Sequence, residues 1–178
     1  MCYGSGPGKL QSTFGWSKRL ADDNFKKFWR ENGALGSLRD AVIKFGQRHG
    51  YLPGIDGRAI RLRGAEHAWL NALFQSCGAI AMNVSMVLLN EHCKELGIDY
   101  NQVIYYHDEI ASEVSTESII ESSENTIQTG AILSKCGRFY SAYGEQAVLS
   151  VREAGQSLQL RCELDACYQV GDTWADIH

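Results

Sequence analysis

Proline and long apolar runs are scarce in this sequence. Only 2 prolines occur among 178 residues, and no low-complexity tract is present, so the chain offers no obvious linker and we expect one domain. No uninterrupted run of ~18 apolar residues predicts a membrane helix, and Met1 leads into a glycine-rich loop rather than a signal peptide. We therefore expect a cytoplasmic protein with no membrane partner.

Paired cysteine motifs are also missing. The chain has 6 cysteines, but none are spaced as Cys-x-x-Cys, and several lie within apolar segments. Zinc sites and the disulfide frameworks of small secreted domains depend on recurrent cysteine spacing. We expect reduced, structural cysteines and no zinc.

The net charge of −4 hides an uneven distribution of basic residues. Residues 1–63 carry 12 Lys and Arg against 5 Asp and Glu, whereas residues 64–178 carry 5 against 16. Phosphate contacts need clustered basic side chains, which only the first third provides. An ordinary solvated helix face is the alternative for part of this set. The clusters are Lys18, Arg19, Lys26, Lys27 and Arg30 on an amphipathic helix, and Arg58, Arg61 and Arg63 alternating along residues 58–63.

Three polar residues, His107, Asp108 and Glu109, separate two apolar, β-prone runs. Residues 103–106 predict a buried strand and residues 110–114 a returning strand, so the three lie at a hairpin tip. Two adjacent carboxylates repel each other unless a cation or polar ligand lies beside them. A divalent metal would relieve the repulsion. The alternative is a solvated turn that carries Asp and Glu.

Residues Glu66 to Leu96 predict one long, largely buried helix, because they contain no proline, one glycine and apolar residues at helical spacing. His67, Asn71 and Gln75 are four residues apart, so they form one stripe. Each unpaired buried polar group costs ~1–3 kcal/mol, so the stripe needs a polar partner. The minor groove of a DNA duplex offers acceptors common to every base pair. Hydrogen bonding to neighbouring loops is the alternative.

Together these segments resemble family A DNA polymerases, and the bacteriophage members most of all. The His-Asp-Glu hairpin resembles motif C of that family, and the His67 helix resembles the helix that tracks the minor groove of the primer–template. The resemblance covers nearly the whole chain. Its segments, in the family's order, are 54–58 (Gly-Ile-Asp-Gly-Arg), 66–76, 107–109, 161–165 (Arg-Cys-Glu-Leu-Asp) and 171–178, which ends on Trp-Ala-x-x-His.

The N-terminal residues resemble the close of motif B, the fingers helix of the family. Tyr3 begins this match, but the Arg, Lys and Phe that precede it in the family have no counterpart among these residues, and neither has the aspartate of motif A. The resemblance therefore implies the C-terminal portion of a polymerase. We expect either a split gene, whose upstream polymerase fragment is a separate polypeptide, or a truncated product.

The resemblance implies a DNA-directed DNA polymerase that transfers nucleotides with two Mg²⁺ ions, on primer–template DNA and deoxynucleoside triphosphates. Asp108 would bind metal, Glu109 would take a weaker or outer part, and His107 would position the primer terminus. Tyr3 would stack near the nucleotide and templating base. The duplex would be held by Asn71, Gln75 and His67, with Arg58, Arg61 and Arg63 as further DNA-binding residues.

Two other functions compete with this one. The chain could be a DNA-binding or assembly subunit without catalysis, or an inactive polymerase remnant, which keeps the duplex-gripping helix. A free-standing metal hydrolase built on His107, Asp108 and Glu109 is disfavoured, because one hairpin presents too few carboxylates for a two-metal site.

The predicted fold class is α+β, with an incomplete palm and a small antiparallel sheet. Residues 1–178 would form a single polymerase fragment, with a fingers remnant at 1–50 and the palm at 51–178. The predicted elements are a loop to residue 16, two helices over 17–48 broken near residues 32–34, a hairpin over 51–62 turning at Asp56-Gly57, the long helix, the motif C hairpin at 102–114, helical structure over 116–158 with an insertion near 116–149, and a final strand at 159–164.

Overall fold

The computed structural model describes residues 5–115, 119–121 and 139–177. The chain divides into two compact units, Met1–Cys77 and Gly78–His178. The predicted division into a fingers remnant and a palm stays a prediction. The expected insertion near 116–149 falls largely outside the described residues.

Three helices open the first unit: α1 (Pro7–Phe14), α2 (Lys18–Glu31) and α3 (Gly33–His49). The Ser17 hydroxyl caps α2 by accepting a hydrogen bond from the Leu20 amide at 3.3 Å. The predicted break between two helices near Asn32 is confirmed. The loop predicted before residue 16 is wrong, because Pro7 occupies the first turn of a helix that ends at Gly15, whose φ is +65°.

A short hairpin follows α3 and is confirmed as predicted. Strands β1 (Tyr51–Pro53) and β2 (Ala59–Arg61) pair antiparallel, and Gly57 turns between them with φ +82°. Leu52 on β1 is only 1% exposed and faces a core with Val42 and Leu70. Around these three pack Trp29, Leu35, Phe45, Ile60, Leu62, Trp69, Leu73 and Phe74.

The long helix is confirmed, with one difference in its first turn. A single turn of 3-10 helix, Glu66–Ala68, leads into α4 (Trp69–Leu96), which crosses the boundary between the units. Its predicted burial is wrong: most of its residues are half-buried or exposed, and Val87 is 57% exposed. In the second unit the buried side is a stripe of residues four apart, namely Ala81, Ser85, Leu89 and Cys93.

The same segment corrects the expectation that no stretch could cross a membrane. By length and composition alone, Glu66–Leu96 could cross a membrane. An 18-residue window within it has a mean hydropathy of 1.7, and 17% of that window is buried. Small and weakly polar residues such as Gly78 and Ser85 interrupt the run without lowering its average hydropathy much. One such helix is weak evidence, since core helices of globular proteins pass the same test.

The second unit contains the predicted motif C hairpin, formed by β3 (Tyr100–Tyr106) and β4 (Glu109–Val114). Two short strands, β5 (Ile119–Glu121) and β6 (Phe139–Ser141), pair antiparallel ahead of helix α5 (Ala142–Ser157). Helical structure over 116–158 is thus confirmed for α5, the two strands contradict it at residues 119–121 and 139–141, and most of the rest of this range lies outside the described residues. Over the described ranges, the helices and three two-stranded antiparallel sheets give the α+β class that was predicted.

The final strand predicted at 159–164 is wrong. Gln159 adopts a left-handed φ of +54°, and the Leu160 amide donates to the Gly155 carbonyl at 3.0 Å. These residues therefore close the end of α5 instead of extending as a strand. Among the described cysteines, Cys93, Cys162 and Cys167 carry free thiols.

Candidate functional site

The tip of the β3–β4 hairpin is a two-residue turn, His107-Asp108, because Tyr106 and Glu109 are the last paired residues. His107 has a φ of +56°, a region that residues other than glycine rarely occupy. Its imidazole packs edge-on against the Tyr106 ring, with 4.3 Å between centroids. The sequence predicted the turn but not the unusual conformation of His107.

The two carboxylates lie where an external ligand could reach them. Asp108 is exposed at the tip and Glu109 is half-buried where β4 begins. Carboxylate oxygens suit Mg²⁺, but no group of three His, Cys, Asp or Glu side chains able to hold a metal is found among residues 5–115, 119–121 and 139–177. Asp108 and Glu109 therefore fit a share of a magnesium site, and the other ligands would have to come from elsewhere.

Helix α4 anchors the base of the hairpin rather than its tip. The Gln102 amide donates to Met86 Sδ at 3.5 Å, and the Tyr100 hydroxyl donates to Asn90 Oδ1 at 3.4 Å. Between Gln102 and Ile104 the pairing register shifts, so Val103 is an extra, bulged residue. The tip consequently extends beyond the part of the hairpin that these contacts hold.

Helix α5 supports the same hairpin through Tyr143. The Tyr143 hydroxyl lies 2.6 Å from Ser112 Oγ on β4, and its ring lies 4.9 Å from that of Tyr100 on β3. Burial raises the pKa of Tyr143 to about 12, so its phenol stays neutral at physiological pH. Helices α4 and α5 are joined in turn by His92, whose ring nitrogens contact Ser150 at 3.2 Å and Glu153 at 3.0 Å.

The predicted burial of residues 103–106 is wrong. Val103 is 55% and Tyr106 is 66% exposed, because β3 and β4 form a sheet of two strands in which, among the described residues, no third strand covers β3. The strand at residues 103–106 was predicted correctly, but among the described residues no other element packs over its apolar side chains.

We expect the 178-residue chain to self-associate through the outer edge of β3, because unpaired backbone groups and exposed apolar side chains there pair readily with another strand. Ile104→Lys should shift the chain toward monomer in sedimentation velocity. Val87→Lys, the same kind of change on α4, should leave association unaltered. A wild-type chain that is monomeric and melts cooperatively would contradict this expectation.

The three arginines of the β1–β2 hairpin differ in their surroundings. Arg58 is tied to Asp56, which accepts hydrogen bonds from both the backbone amide and the guanidinium of Arg58. Partial burial would raise the pKa of Asp56, but these bonds outweigh it and hold that pKa below its ordinary value. Arg61 and Arg63 are exposed, and neither guanidinium has a hydrogen-bond or ion-pair partner among the described residues. The Asp56 contact was missed from the sequence.

The stripe of His67, Asn71 and Gln75 lies only partly as predicted. His67 belongs to the 3-10 turn ahead of α4, and both His67 and Gln75 are exposed. Only Asn71 has the buried polar atom that the sequence argument assumed: its Oδ1 is buried and accepts no hydrogen bond from the described residues. At 100° per residue, Asn71 and Gln75 lie on the helix side opposite Leu70 and Leu73, which face the core.

Two contacts hold the start of α4 against α3, and neither was evident from the sequence. Gln47 Nε2 donates to Glu66 Oε1 at 2.7 Å, beside His67. Gly46 is buried against Trp69: a Cβ at this glycine would lie 2.7 Å from the indole ring and 2.8 Å from Leu62 Cδ1. Gly46 thus permits the close approach that places Asn71, two residues after Trp69.

Tyr3 and His178, the last residue of the Trp-Ala-x-x-His segment, fall outside the described residues. Trp174–Asp176 forms a turn of 3-10 helix, closed by the Thr173 amide and hydroxyl, each donating to Asp176 at 2.7 Å. Those hydrogen bonds lower the pKa of Asp176.

Comparison with known proteins gives a consistent set of relatives. The chain is 28% identical over 182 residues to a DNA-directed DNA polymerase of Escherichia phage Phieco32, and 26% identical over 198 residues to that of Escherichia phage T7. Each alignment includes 99% of this chain but only 26% and 25% of the relative. The chain thus spans about a quarter of the length of these polymerases. A DNA polymerase I of Streptococcus pneumoniae aligns with 71% of the chain at 24% identity.

A solved structure supports the fold. The POL domain of Pol1 from M. smegmatis, in complex with DNA primer-template and dNTP, matches 86% of this chain and 25% of its own length with a TM-score of 0.64. Its sequence identity is 19%, so this match speaks to the fold alone. No protein-family profile matches the chain. The resemblance predicted from the motifs is nevertheless confirmed: over nearly all of its length, this chain is similar to a portion of the family A DNA polymerases of T7-type phages.

Proposed function

We propose that this chain is the C-terminal part of a DNA-directed DNA polymerase and contributes to template-directed DNA synthesis, as a nucleotidyltransferase of DNA replication. One observation carries the proposal: an exposed two-residue hairpin tip presents His107 and Asp108, followed at once by Glu109, in a chain aligned over 99% of its length with phage DNA polymerases. The place of action would be the cytoplasm of the host cell.

In this proposal the hairpin supplies motif C. Asp108, exposed at the tip, would offer carboxylate oxygens to a magnesium ion, and Glu109 would take a secondary part. Bound magnesium would supply electrostatic stabilisation of the phosphoryl group being transferred. His107 would hold the primer terminus, since its packing on Tyr106 and its fixed backbone give the imidazole a defined direction. Further ligands would come from residues beyond these 178, namely the motif A part of the polymerase.

The duplex would be held by the first unit. Gln75 is exposed on the outer side of α4, and the half-buried Asn71 lies one turn before it on the same side. Both amides can donate to purine N3 and pyrimidine O2 in the minor groove. His67 would extend the stripe, while Arg63 would contact phosphates of the duplex and Arg61 phosphates of the template strand. Arg58 would contribute less, because Asp56 already engages its guanidinium.

The other partners follow from the polymerase reaction. The substrates would be primer–template DNA and deoxynucleoside triphosphates, both of which are present in the complex of the structurally similar M. smegmatis POL domain. Tyr3 would lie near the nucleotide. An upstream polymerase part would complete the active site, on the same or another polypeptide.

We expect Asn71→Ala and Gln75→Ala each to weaken binding of a primer–template duplex roughly 2- to 10-fold, because each removes one groove contact of about 0.5–1.5 kcal/mol. The loss should be equal for AT-rich and GC-rich duplexes, since the acceptors are common to all base pairs. Fluorescence anisotropy measures both. Gln156→Ala, which removes an exposed side-chain amide from helix α5 of the second unit, is the matched control.

Selective weakening for one base composition, or unchanged binding in both variants, would contradict the minor-groove role. The competing function, a DNA-binding or assembly subunit without catalysis, has support from the lack of a third metal ligand beside Asp108 and Glu109 among the described residues. It shares the expected losses of DNA affinity but predicts that Asp108 is dispensable once the upstream part is present.

A further inference from the structure

Three aromatic rings meet where α3 ends and β1 begins. The Phe45 and His49 rings lie 4.3 Å apart between centroids and are tilted by 31°. The Tyr51 ring lies 5.7 Å from Phe45, edge-on, and 6.2 Å from His49. Offset and edge-to-face pairs at these distances hold one another in place, so the cluster is preorganised.

The cluster runs from the core to the surface. Phe45 packs against the buried group of Val42, Leu52 and Leu70. His49 is exposed, and Tyr51 is 40% exposed although its neighbour Leu52 is almost wholly buried. Tyr51 therefore presents a large apolar ring to solvent from a rigid position. The core is formed without this ring.

Positive charge borders these rings. Tyr51 is the cross-strand partner of Arg61, so the two side chains leave the same face of the β1–β2 hairpin with Cβ atoms about 5 Å apart. Arg61 has no ion-pair partner among the described residues, and Arg48 is exposed in the last turn of α3. The nearest carboxylates along the chain, Asp56 and Glu66, are engaged by Arg58 and Gln47. The surface thus combines rings and unpaired cations.

We propose that His49, Tyr51 and Arg61 bind unpaired nucleotides of the template strand. A base stacks on the exposed Tyr51 ring beside His49, and the Arg61 guanidinium contacts the adjoining phosphate. Stacking needs an open base face, which single-stranded DNA offers and the interior of a duplex does not. This inference rests on the proposed polymerase function. It gives the unpaired part of the template its own binding site, separate from Asn71 and Gln75, which would contact the base-paired part.

The test uses the whole 178-residue chain, a fluorescein-labelled oligo-dT of about 12 nucleotides and a blunt hairpin duplex. Tyr51→Leu should weaken oligo-dT binding about tenfold or more, while Tyr51→Phe, which keeps the ring, should bind as the wild type does. Neither change should move the affinity for the blunt duplex by more than about twofold. Circular dichroism melts confirm that both variants are folded.

Arg61→Gln gives a second, independent readout. Loss of one phosphate contact should flatten the slope of log affinity against log salt for oligo-dT by about 0.7, whereas Tyr51→Leu should leave that slope unchanged. Should Tyr51→Leu fail to fold, the salt slope of Arg61→Gln still tests the proposal.

The proposal would be overturned if the wild-type chain did not bind oligo-dT at low salt. It would also be overturned if Tyr51→Leu lowered the affinity for oligo-dT and for the blunt duplex equally. An unchanged salt slope in Arg61→Gln would overturn it as well, and would assign the surface to another partner. A failure of the proposed polymerase function would give a different result. The chain would still bind oligo-dT, but Asn71→Ala and Gln75→Ala would not change its affinity for duplex DNA.

Discussion

Purified by themselves, these 178 residues should not extend a primer. Asp108 and Glu109 are the carboxylates at the hairpin tip, and no third metal ligand joins them among the described residues. A two-metal site needs more oxygen ligands than one hairpin tip presents. Gel analysis of a primed template with Mg²⁺ and all four deoxynucleoside triphosphates should show no extension. Measurable incorporation would contradict the proposed dependence on an upstream part.

Supplying the upstream polymerase part, added in trans or fused ahead of Met1, should restore extension. Asp108→Ala should then lower the rate on the order of 10³-fold or more, because losing one metal-binding carboxylate removes several kcal/mol of transition-state stabilisation. Asp99→Ala, an exposed aspartate just ahead of β3, is the control and should keep full activity. Equal activity in the two variants would favour the non-catalytic subunit.

Gly46→Ala should destabilise the first unit by roughly 1–3 kcal/mol, because the added methyl group would lie 2.7 Å from the Trp69 ring and 2.8 Å from Leu62. Chemical denaturation measures the change in the free energy of unfolding. Duplex affinity should fall as well, since displacement of Trp69 moves Asn71. These two losses should appear together.

Gly78→Ala is the matched control, because Gly78 also lies inside a helix but a Cβ there meets no atom within 4 Å. It should raise the free energy of unfolding by about 0.5–1 kcal/mol, the helix-propensity gain of alanine over glycine. If Gly46→Ala were also stabilising, the close contact between α3 and Trp69 would not constrain the chain.

The sequence predicted the elements that local patterns encode. The break at Asn32, the hairpin turning at Gly57 and the motif C hairpin all follow from turn residues and alternation, and all three are present. Their burial was predicted less well. A periodic apolar pattern identifies side chains that favour burial, but not what covers them, and so Val87 and Tyr106 are exposed where burial was expected.

The missed site features depend on contacts that sequence periodicity does not encode. The engagement of Arg58 by Asp56 requires the exact geometry of the Gly57 turn, although Asp and Arg two residues apart hinted at it. The approach of Gly46 to Trp69 joins residues 23 apart in the chain. The strand predicted at 159–164 was wrong because Gln159, two residues after the end of α5, adopts a left-handed conformation that closes the helix, a conformation that is strongly favoured only for glycine.

The bulge at Val103 changes the phase of strand β3 between its anchored base and its tip. Gln102 and Ile104 are two residues apart on β3. Their partners on β4, Ser112 and Ala111, are consecutive and therefore point to opposite faces of that strand. Side chains of β3 beyond the bulge are therefore half a period out of step with Tyr100 and Gln102, which contact α4, whereas β4 alternates without a break from Glu109 to Val114. The face to which β4 presents Glu109 is thus independent of Val103: a chain without this residue would pair regularly and keep that face, but it would lose the extra twist that a bulge gives the strand leading to His107 and Asp108.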